Sequence, residues 1–337
     1  MKKSQIIILI TAVISMSMFV SAIYYTINQR AENNNQESNI TSDYVTILAT
    51  TEIQTTTTHT SAETFSATAT TKRSDQYNIS APYAGLYNVS TGESIYEKNV
   101  DTQIHPASLT KVLTAITALT YMDTETILTV GSEQKLLPKH SSICLIKEGH
   151  RLTLYDLLTG MLVASGNDAA YTIAVNVSRL VTNNSNLADK EAISYFTNLM
   201  NYTAKAIGVK NSYFTTPDGF DNENQYTCIS DLALISRYAL EFEEIREITS
   251  ITQKKVYFKS GENVVWSNSN KLLHSESPFY FSKSRGMKTG TTTLAGKCLI
   301  ATAEINSQTY IAIVAGCESD EQRYNSSLKL FDIASTI

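Results

Sequence analysis

The chain has 337 residues, 42% of them hydrophobic and 18% charged, with a formal net charge of −5. That is a globular composition with ample apolar material for a core, long enough for two domains or for one large α/β enzyme domain. The balance is mildly acidic and shows no basic stripe, which argues against a nucleic-acid partner.

Lys2 and Lys3 precede Ile6 to Ile27, a run without a charged residue. About 20 apolar residues suffice to span a bilayer as a helix, and lysines at the start favour that end staying in the cytoplasm. Residues 1–28 therefore read as an N-terminal membrane anchor, with a cleaved signal peptide (Val20-Ser21-Ala22 as the processing site) as the rival reading. Either way the remainder is exported. Residues 29–76 are rich in Asn, Thr, Ser and Ala and include a four-threonine tract, Thr55 to Thr58. They read as a disordered linker with a root-mean-square span on the order of 40 Å.

The folded part, residues 77–337, opens with a β-hairpin, Tyr83 to Val89 and Ser94 to Glu97 around Ser90-Thr91-Gly92-Glu93. From Ser108 the sequence LTKVLTAITALTYM is apolar on most sides and predicts a buried helix. Thr153 to Val163 and Ala169 to Leu180 predict helices joined by Ser165-Gly166-Asn167. Lys190 to Ile207 predicts another, stopped by Gly208. Asp231 to Phe242 predicts a helix with Asp231 as its N-cap. Lys254 to Lys259 and Asn263 to Ser267 flank a Ser260-Gly261-Glu262 turn. Gly296 to Glu304 and Gln308 to Ala315 flank Ile305-Asn306-Ser307. A helix from Glu321 to Ile333 follows. The economical architecture is α+β, one antiparallel sheet built from both chain ends with an inserted helical lobe, and the groove between them is the natural place for a site.

Four cysteines, Cys144, Cys228, Cys298 and Cys317, show no C-x-x-C and no zinc spacing with the five histidines, so no metal is expected. They read as small buried thiols. Cys298 and Cys317, on neighbouring predicted strands, leave a disulfide open.

Three short motifs carry chemistry. Ser108 and Lys111 lie three residues apart on one helix face. A serine needs a base, and a lysine can be one if burial and neighbouring positive charge keep it neutral. The helix N-terminus offers N–H groups for an oxyanion. Ser-x-x-Lys recurs at Ser132/Lys135 and Ser326/Lys329, but only the first opens an apolar helix. In Ser165-Gly166-Asn167, the glycine allows a tight turn, the hydroxyl can pass a proton, and the amide can bind a peptide group. Lys288-Thr289-Gly290, followed by Thr291, places a cation and two hydroxyls on a strand that can bind a carboxylate and pair with an extended peptide. Gly290 lets that peptide come close. A second Lys-x-Gly, Lys259-Ser260-Gly261, reads as a hairpin turn.

Together these motifs, in this order, resemble the serine D-alanyl-D-alanine carboxypeptidases, the low-molecular-mass penicillin-binding proteins. The resemblance runs from about Tyr83 to Gly316 and includes PASLTKVLTA, LLTGMLVASGNDAA and GMKTGTTTLAGKCL. It implies a penicillin-binding/β-lactamase-like fold and no cofactor. It also implies that Ser108 attacks the carbonyl between two terminal D-alanines of a peptidoglycan stem peptide, with Lys111 as base. Ser165 would relay protons, and Asn167 would hold the substrate backbone and position Lys111. Lys288 would supply positive potential and bond Ser165, while Thr289 and Thr291 would bind the terminal carboxylate. The N–H groups of Ser108 and Thr291 would form the oxyanion hole, and β-lactam antibiotics would trap Ser108. The expected place of action is the extracytoplasmic face of the membrane, held by the N-terminal segment, or the cell wall. Two positions depart from the family pattern: Pro217-Asp218-Gly219-Phe220, where Pro-His-Gly-Leu is frequent, and Cys228, where Ser or Thr is common. Rival readings on the same fold are D,D-endopeptidase or transpeptidase action and a β-lactamase, which needs a Glu-x-x-Leu-Asn segment that is not found. A non-catalytic wall-binding or sensing module is the rival from another class. A Ser-His-Asp hydrolase lacks its Gly-x-Ser-x-Gly, and His105 reads as a loop histidine.

Overall fold

The structure, a computed structural model, describes residues 77–337. The expectations for the anchor or signal peptide, residues 1–28, and for the linker, residues 29–76, lie outside the described residues. Strand β1 (Tyr83–Asn88) turns back into β2 (Ser94–Lys98). The turn is set by Asn88, whose Oδ1 accepts from the backbone N–H of Ser90 and Thr91, and by Gly92 at φ 67°. Helix α1 (Thr110–Tyr121) is buried through residues 110–118, so it runs through the middle of the helical lobe. A short pair, β3 (Ile127–Thr129) and β4 (Arg151–Thr153), leads into α2 (Leu154–Leu162), capped by Thr153 Oγ1 accepting from Asp156 N at 3.1 Å.

Helices α3 (Asn167–Val181) and α4 (Asp189–Ile207) follow, and Gly208 at φ 99° ends α4 as the sequence predicts. Helix α5 spans Ile229–Ala239, and Asp231 does not cap it. Its carboxylate instead accepts from the backbone of Lys210 and Asn211 and from Ser212 Oγ, anchoring the connection that follows α4. Helix α6 (Glu243–Ser250) is absent from the sequence expectation, because only Ile245, Ile248 and Thr249 face inward. Strands β5 (Gln253–Tyr257) and β6 (Asn263–Ser267) form the expected hairpin. The chain then completes the main sheet with β7 (Ser284–Thr292), β8 (Gly296–Ile305) and β9 (Gln308–Cys317), and α7 (Asp320–Ser335) follows.

The five-stranded sheet has the order β2-β1-β9-β8-β7 and is antiparallel throughout. Strands from both chain ends therefore share one sheet, with helices between them in sequence: the fold is α+β. Alternation splits its side chains into two cores. Ile300, Ile311 and Ile313 face the helical lobe with Leu113, Leu158 and Phe196. Leu299, Ala301 and Val314 face α7 with Tyr324, Leu330 and Phe331.

The same alternation decides the cysteine question. All four cysteines are free and buried. Cys298 belongs to the lobe-side core and Cys317 to the α7-side core, so adjacent strands carry them on opposite faces of the sheet and no disulfide joins them.

Candidate active site

Ser108 stands in a single 3-10 turn, Ala107–Leu109, that runs directly into α1. The helix proper starts at Thr110, two residues later than the sequence suggests. Lys111, one turn along, is fully buried. Its Nζ donates to Ser108 Oγ (2.8 Å), Asn167 Oδ1 (2.8 Å) and the backbone oxygen of Asp218 (2.9 Å). Two of these partners are acceptors only. On losing a proton the amine keeps two N–H groups for these acceptors, and the position that donates to Ser108 Oγ while it is charged becomes a lone pair facing the one partner with a proton to give. Burial lowers the Lys111 pKa from 10.5 to about 8, opposed by the charges of Asp218 and Asp168 and by Cys144.

The second motif joins α2 to α3. Ser165, not Gly166, adopts the left-handed conformation (φ 60°), while Gly166 has an ordinary φ of −65°. The glycine serves a different need from the tight turn expected of it. A Cβ there would lie 2.6 Å from both Asp168 Oδ1 and Cys144 Sγ. Asp168 is itself buried and accepts from the backbone of Cys144, Ile146 and Ala169 and from Cys144 Sγ. Together with Asn167 N donating to Ser142 O (2.8 Å), this clamps the 142–146 loop onto the motif. Asn167, nine-tenths buried, thereby begins α3 with its Oδ1 aimed at Lys111.

The third motif lies on β7, the outermost strand of the sheet beyond β8. Lys288, almost fully buried, donates to Ser165 Oγ (2.9 Å) and to Thr289 O (3.0 Å). Burial, then the charges of Lys111 and Arg323, push its pKa well below the ordinary lysine value. Thr289 Oγ1 shares a 2.6 Å hydrogen bond with Ser269 Oγ, and the exposed Thr291 donates from its hydroxyl to Gly290 O at 2.7 Å. Gly290 has a packing reason distinct from ligand approach. A Cβ there would meet Ala107 Cβ at 3.1 Å and Leu109 Cγ at 3.3 Å, so its absence lets β7 rest against the Ser108 turn.

All eight residues singled out in the sequence, Ser108, Lys111, Ser165, Asn167, Lys288, Thr289, Gly290 and Thr291, therefore lie where the Ser108 turn, the α2–α3 junction and the free edge of the sheet converge. The recurrences do not assemble. Lys135 reaches out to Glu148, and Ser326 bonds Ser80 Oγ and Ala81 N just ahead of β1. Lys259-Ser260-Gly261 is a hairpin tip.

Sequence reasoning missed four contributors. The Asp218 backbone completes the Lys111 cage. Ser269, just past β6, holds the Thr289 hydroxyl. Asp168 fixes the loop beside Asn167. Arg323, on α7, donates to Gly290 O and Cys298 O from behind β7. Asp168 carried a usable signal, since a carboxylate in the first turn of a helix is favoured there. The other three depend on tertiary contact alone. Among the described residues, no group of three or more His, Cys, Asp or Glu is placed to hold a metal ion.

A nucleophile with a desolvated amine as base, a second hydroxyl on a second buried amine, and threonine hydroxyls on an open strand edge are suited to acyl transfer from a carboxylate-bearing peptide. Comparison with known proteins agrees. A family model described as D-alanyl-D-alanine carboxypeptidase matches residues 67–319. The chain is 27% identical over 266 residues to D-alanyl-D-alanine carboxypeptidase DacF of Bacillus subtilis, which covers 78% of this chain and 64% of that relative. The chain thus spans a little under two thirds of that relative's length. The solved DD-transpeptidase of Streptomyces K15 is 26% identical with a TM-score of 0.71, covering 79% of this chain and all of that one. Penicillin-binding protein D2 of Listeria monocytogenes, solved in its ampicillin-bound form, is 27% identical with a TM-score of 0.61, covering 76% of this chain and 98% of that one.

Proposed function

The chain belongs to the D-alanyl-D-alanine carboxypeptidase family, and from that premise we propose that it is a serine D,D-carboxypeptidase that removes the terminal D-alanine from peptidoglycan stem peptides through a Ser108 acyl-enzyme. The observation that carries this reading is the 2.8 Å contact between Ser108 Oγ and a fully buried Lys111 amine whose other partners are acceptors. Ser108 gives its proton to Lys111 as its oxygen bonds the carbonyl carbon of the D-alanyl-D-alanine amide. The N–H groups of Ser108 and Thr291 receive the oxyanion. The C–N bond breaks, and the proton taken from Ser108 ends on the departing amine, relayed through the Ser165 hydroxyl. Water then gives its proton to the neutral Lys111 and attacks the ester carbonyl; the bond to Ser108 Oγ breaks as Lys111 returns that proton to it, freeing the shortened peptide and regenerating the enzyme. Asn167 holds the peptide backbone. Thr289 and Thr291 bind the terminal carboxylate, whose arriving negative charge favours the protonated form of Lys288 and so its positive potential.

β-Lactams, which mimic the dipeptide, stop at the acyl-enzyme. The Listeria relative, solved in its ampicillin-bound form, supports β-lactam binding. Export and tethering through residues 1–28, with the linker spacing the catalytic part from the extracytoplasmic membrane face, complete the reading. It places the full chain in the membrane pellet, and recovery of a shortened chain in the soluble fraction would overturn the tether.

Incubation with a labelled penicillin, followed by D-alanine release from a stem pentapeptide, tests the activity. The wild type is expected to label and to release D-alanine, and Ser108→Ala to do neither, with at least about a thousandfold loss. Label without release in water, but with exchange when a free amine acceptor is added, would favour transpeptidation, the activity for which the Streptomyces K15 enzyme is named. No label at all would overturn the assignment.

A further inference from the structure

The departure at Pro217-Asp218-Gly219-Phe220 puts a buried carboxylate on the residue whose backbone carbonyl holds Lys111. The segment is locked against the catalytic turn. Pro217 O accepts from Thr114 Oγ1 on α1 (2.6 Å), and Asp218 O accepts from Lys111 Nζ. Gly219 sits at φ +81°, where a Cβ would be 1.8 Å from Ala107 O. Gln225 Oε1 holds the backbone N–H groups of Thr215 and Thr216. Asp218 is 1% exposed. One carboxylate oxygen accepts from Phe220 N (3.1 Å), while the other, Oδ2, is buried with no hydrogen-bond partner.

A buried carboxylate with an unsatisfied oxygen is costly unless a positive charge lies nearby. The groups that face Lys111 are Ser108 on its own turn, Asn167 and Asp168 from α3, Cys144 from the 142–146 loop, Lys288 from β7, and Asp218. Tyr171 of α3 faces Asp218. Asp168 spends its oxygens on Cys144, Ile146 and Ala169. Asp218 makes no direct ion pair with Lys111, yet its charge is the largest influence favouring the protonated amine.

We propose that Asp218 is an electrostatic positioning residue, the fixed counter-charge for the Lys111 ammonium that forms as Ser108 attacks. In the attack-competent form, with Lys111 neutral, Asp218 is uncompensated. Transfer of the Ser108 proton to Nζ creates the positive charge that this oxygen lacks. The stabilisation is therefore larger after proton transfer than before it, the condition for speeding acylation. The carboxylate also makes Lys111 a stronger base and moves its working range to higher pH. The inference rests on the acyl-enzyme reading above.

The test is the pH dependence of the second-order rate of acylation by a fluorescent penicillin in Asp218→Asn and Asp218→Ser, with folding followed by thermal melting. Both keep a group able to accept from Phe220 N and lose the charge. The acid limb is expected to move to lower pH by about one unit, and the high-pH plateau to fall about tenfold. Asp221→Asn, in the same loop with its carboxylate on Leu294 N, is expected to leave the limb in place. A limb unmoved in whichever Asp218 variant folds, or moved to higher pH as water reaches the amine, overturns the inference while leaving the acyl-enzyme reading intact. So does an equal shift in Asp221→Asn. A wild type that takes no label overturns both.

Discussion

If Lys111 is the base, the rate at which Ser108 is acylated must follow the fraction of Lys111 that is neutral. In water a lysine at 10.5 is neutral in only about three molecules in ten thousand at pH 7. At the value of about 8 that burial imposes, the neutral fraction at pH 7 is about one in eleven, a gain of about 300-fold, or about 3 kcal/mol. The acylation rate with a fluorescent penicillin, followed from pH 5.5 to 9.5, is therefore expected to rise tenfold per pH unit up to about 7.5 and to level off above about 8.5. The displacement has a thermodynamic counterpart. The folded amine releases its proton at lower pH than the unfolded one, so between about 8 and 10.5 the unfolded chain binds more protons and stability rises with pH. Below 8 the full penalty, on the order of 3 kcal/mol, is present. A rate that keeps climbing past pH 9.5 without a plateau would show a hydrated amine and refute the reasoning, whatever the distances.

Two further perturbations check the same geometry. Asn167→Asp puts a carboxylate within 2.8 Å of Lys111 Nζ, which raises the amine's pKa by one unit or more, so the acid limb is expected to move to higher pH and acylation at pH 7 to fall at least about tenfold. This is the opposite sign to the Asp218 variants in the same assay. Gly219→Ala forces a Cβ to 1.8 Å from Ala107 O at φ +81° and is expected to cost about 3 kcal/mol or more in a thermal melt. Gly261→Ala, at φ +108° with nothing within 4 Å, is expected to cost only about 1 kcal/mol.

What the sequence disclosed and what it withheld follow one rule. Ser108 with Lys111, and Ser165 with Asn167, are each set by local geometry, so their spacing was readable. The sheet from both chain ends was readable because β8 and β9 are near-continuous apolar runs on either side of the Ile305-Asn306-Ser307 turn, as strands covered on both faces are. The reasons for the glycines were not readable, because what each one avoids is far away in sequence: Cys144 at Gly166, Ala107 and Leu109 at Gly290. Asp231 looked like a cap because an aspartate near a helix start usually is one, yet its partners lie about 20 residues earlier. Ser269 and Arg323 carry no local pattern. The first enters through a hydroxyl pair with Thr289, the second from the opposite face of the sheet. A disulfide between Cys298 and Cys317 looked open from strand adjacency, but register and the bulge between Lys297 and Leu299 put them on opposite faces.

The position of Lys111 also explains how an amine can be dehydrated without being stranded. An apolar pocket would lower its pKa further but leave its protonated form with nothing to donate to, and it would bind the proton too weakly to serve as a base. Here three backbone segments close around it where side chains are missing or small. Gly290 brings β7 onto the Ser108 turn, Gly219 brings the Asp218 carbonyl within reach, and Gly166 lets Asp168 and Cys144 fill the space beside Asn167. Main chain excludes the water and also supplies an acceptor. Desolvation pulls the pKa down, while Asp218 and Asp168 hold it from falling further. The resulting value of about 8 lies near neutrality, where a base is both largely available and still strong enough to take a serine proton. The catalytic part of the chain can thus be read as a device for closing backbone around one amine, with the three motifs marking where the closing segments meet.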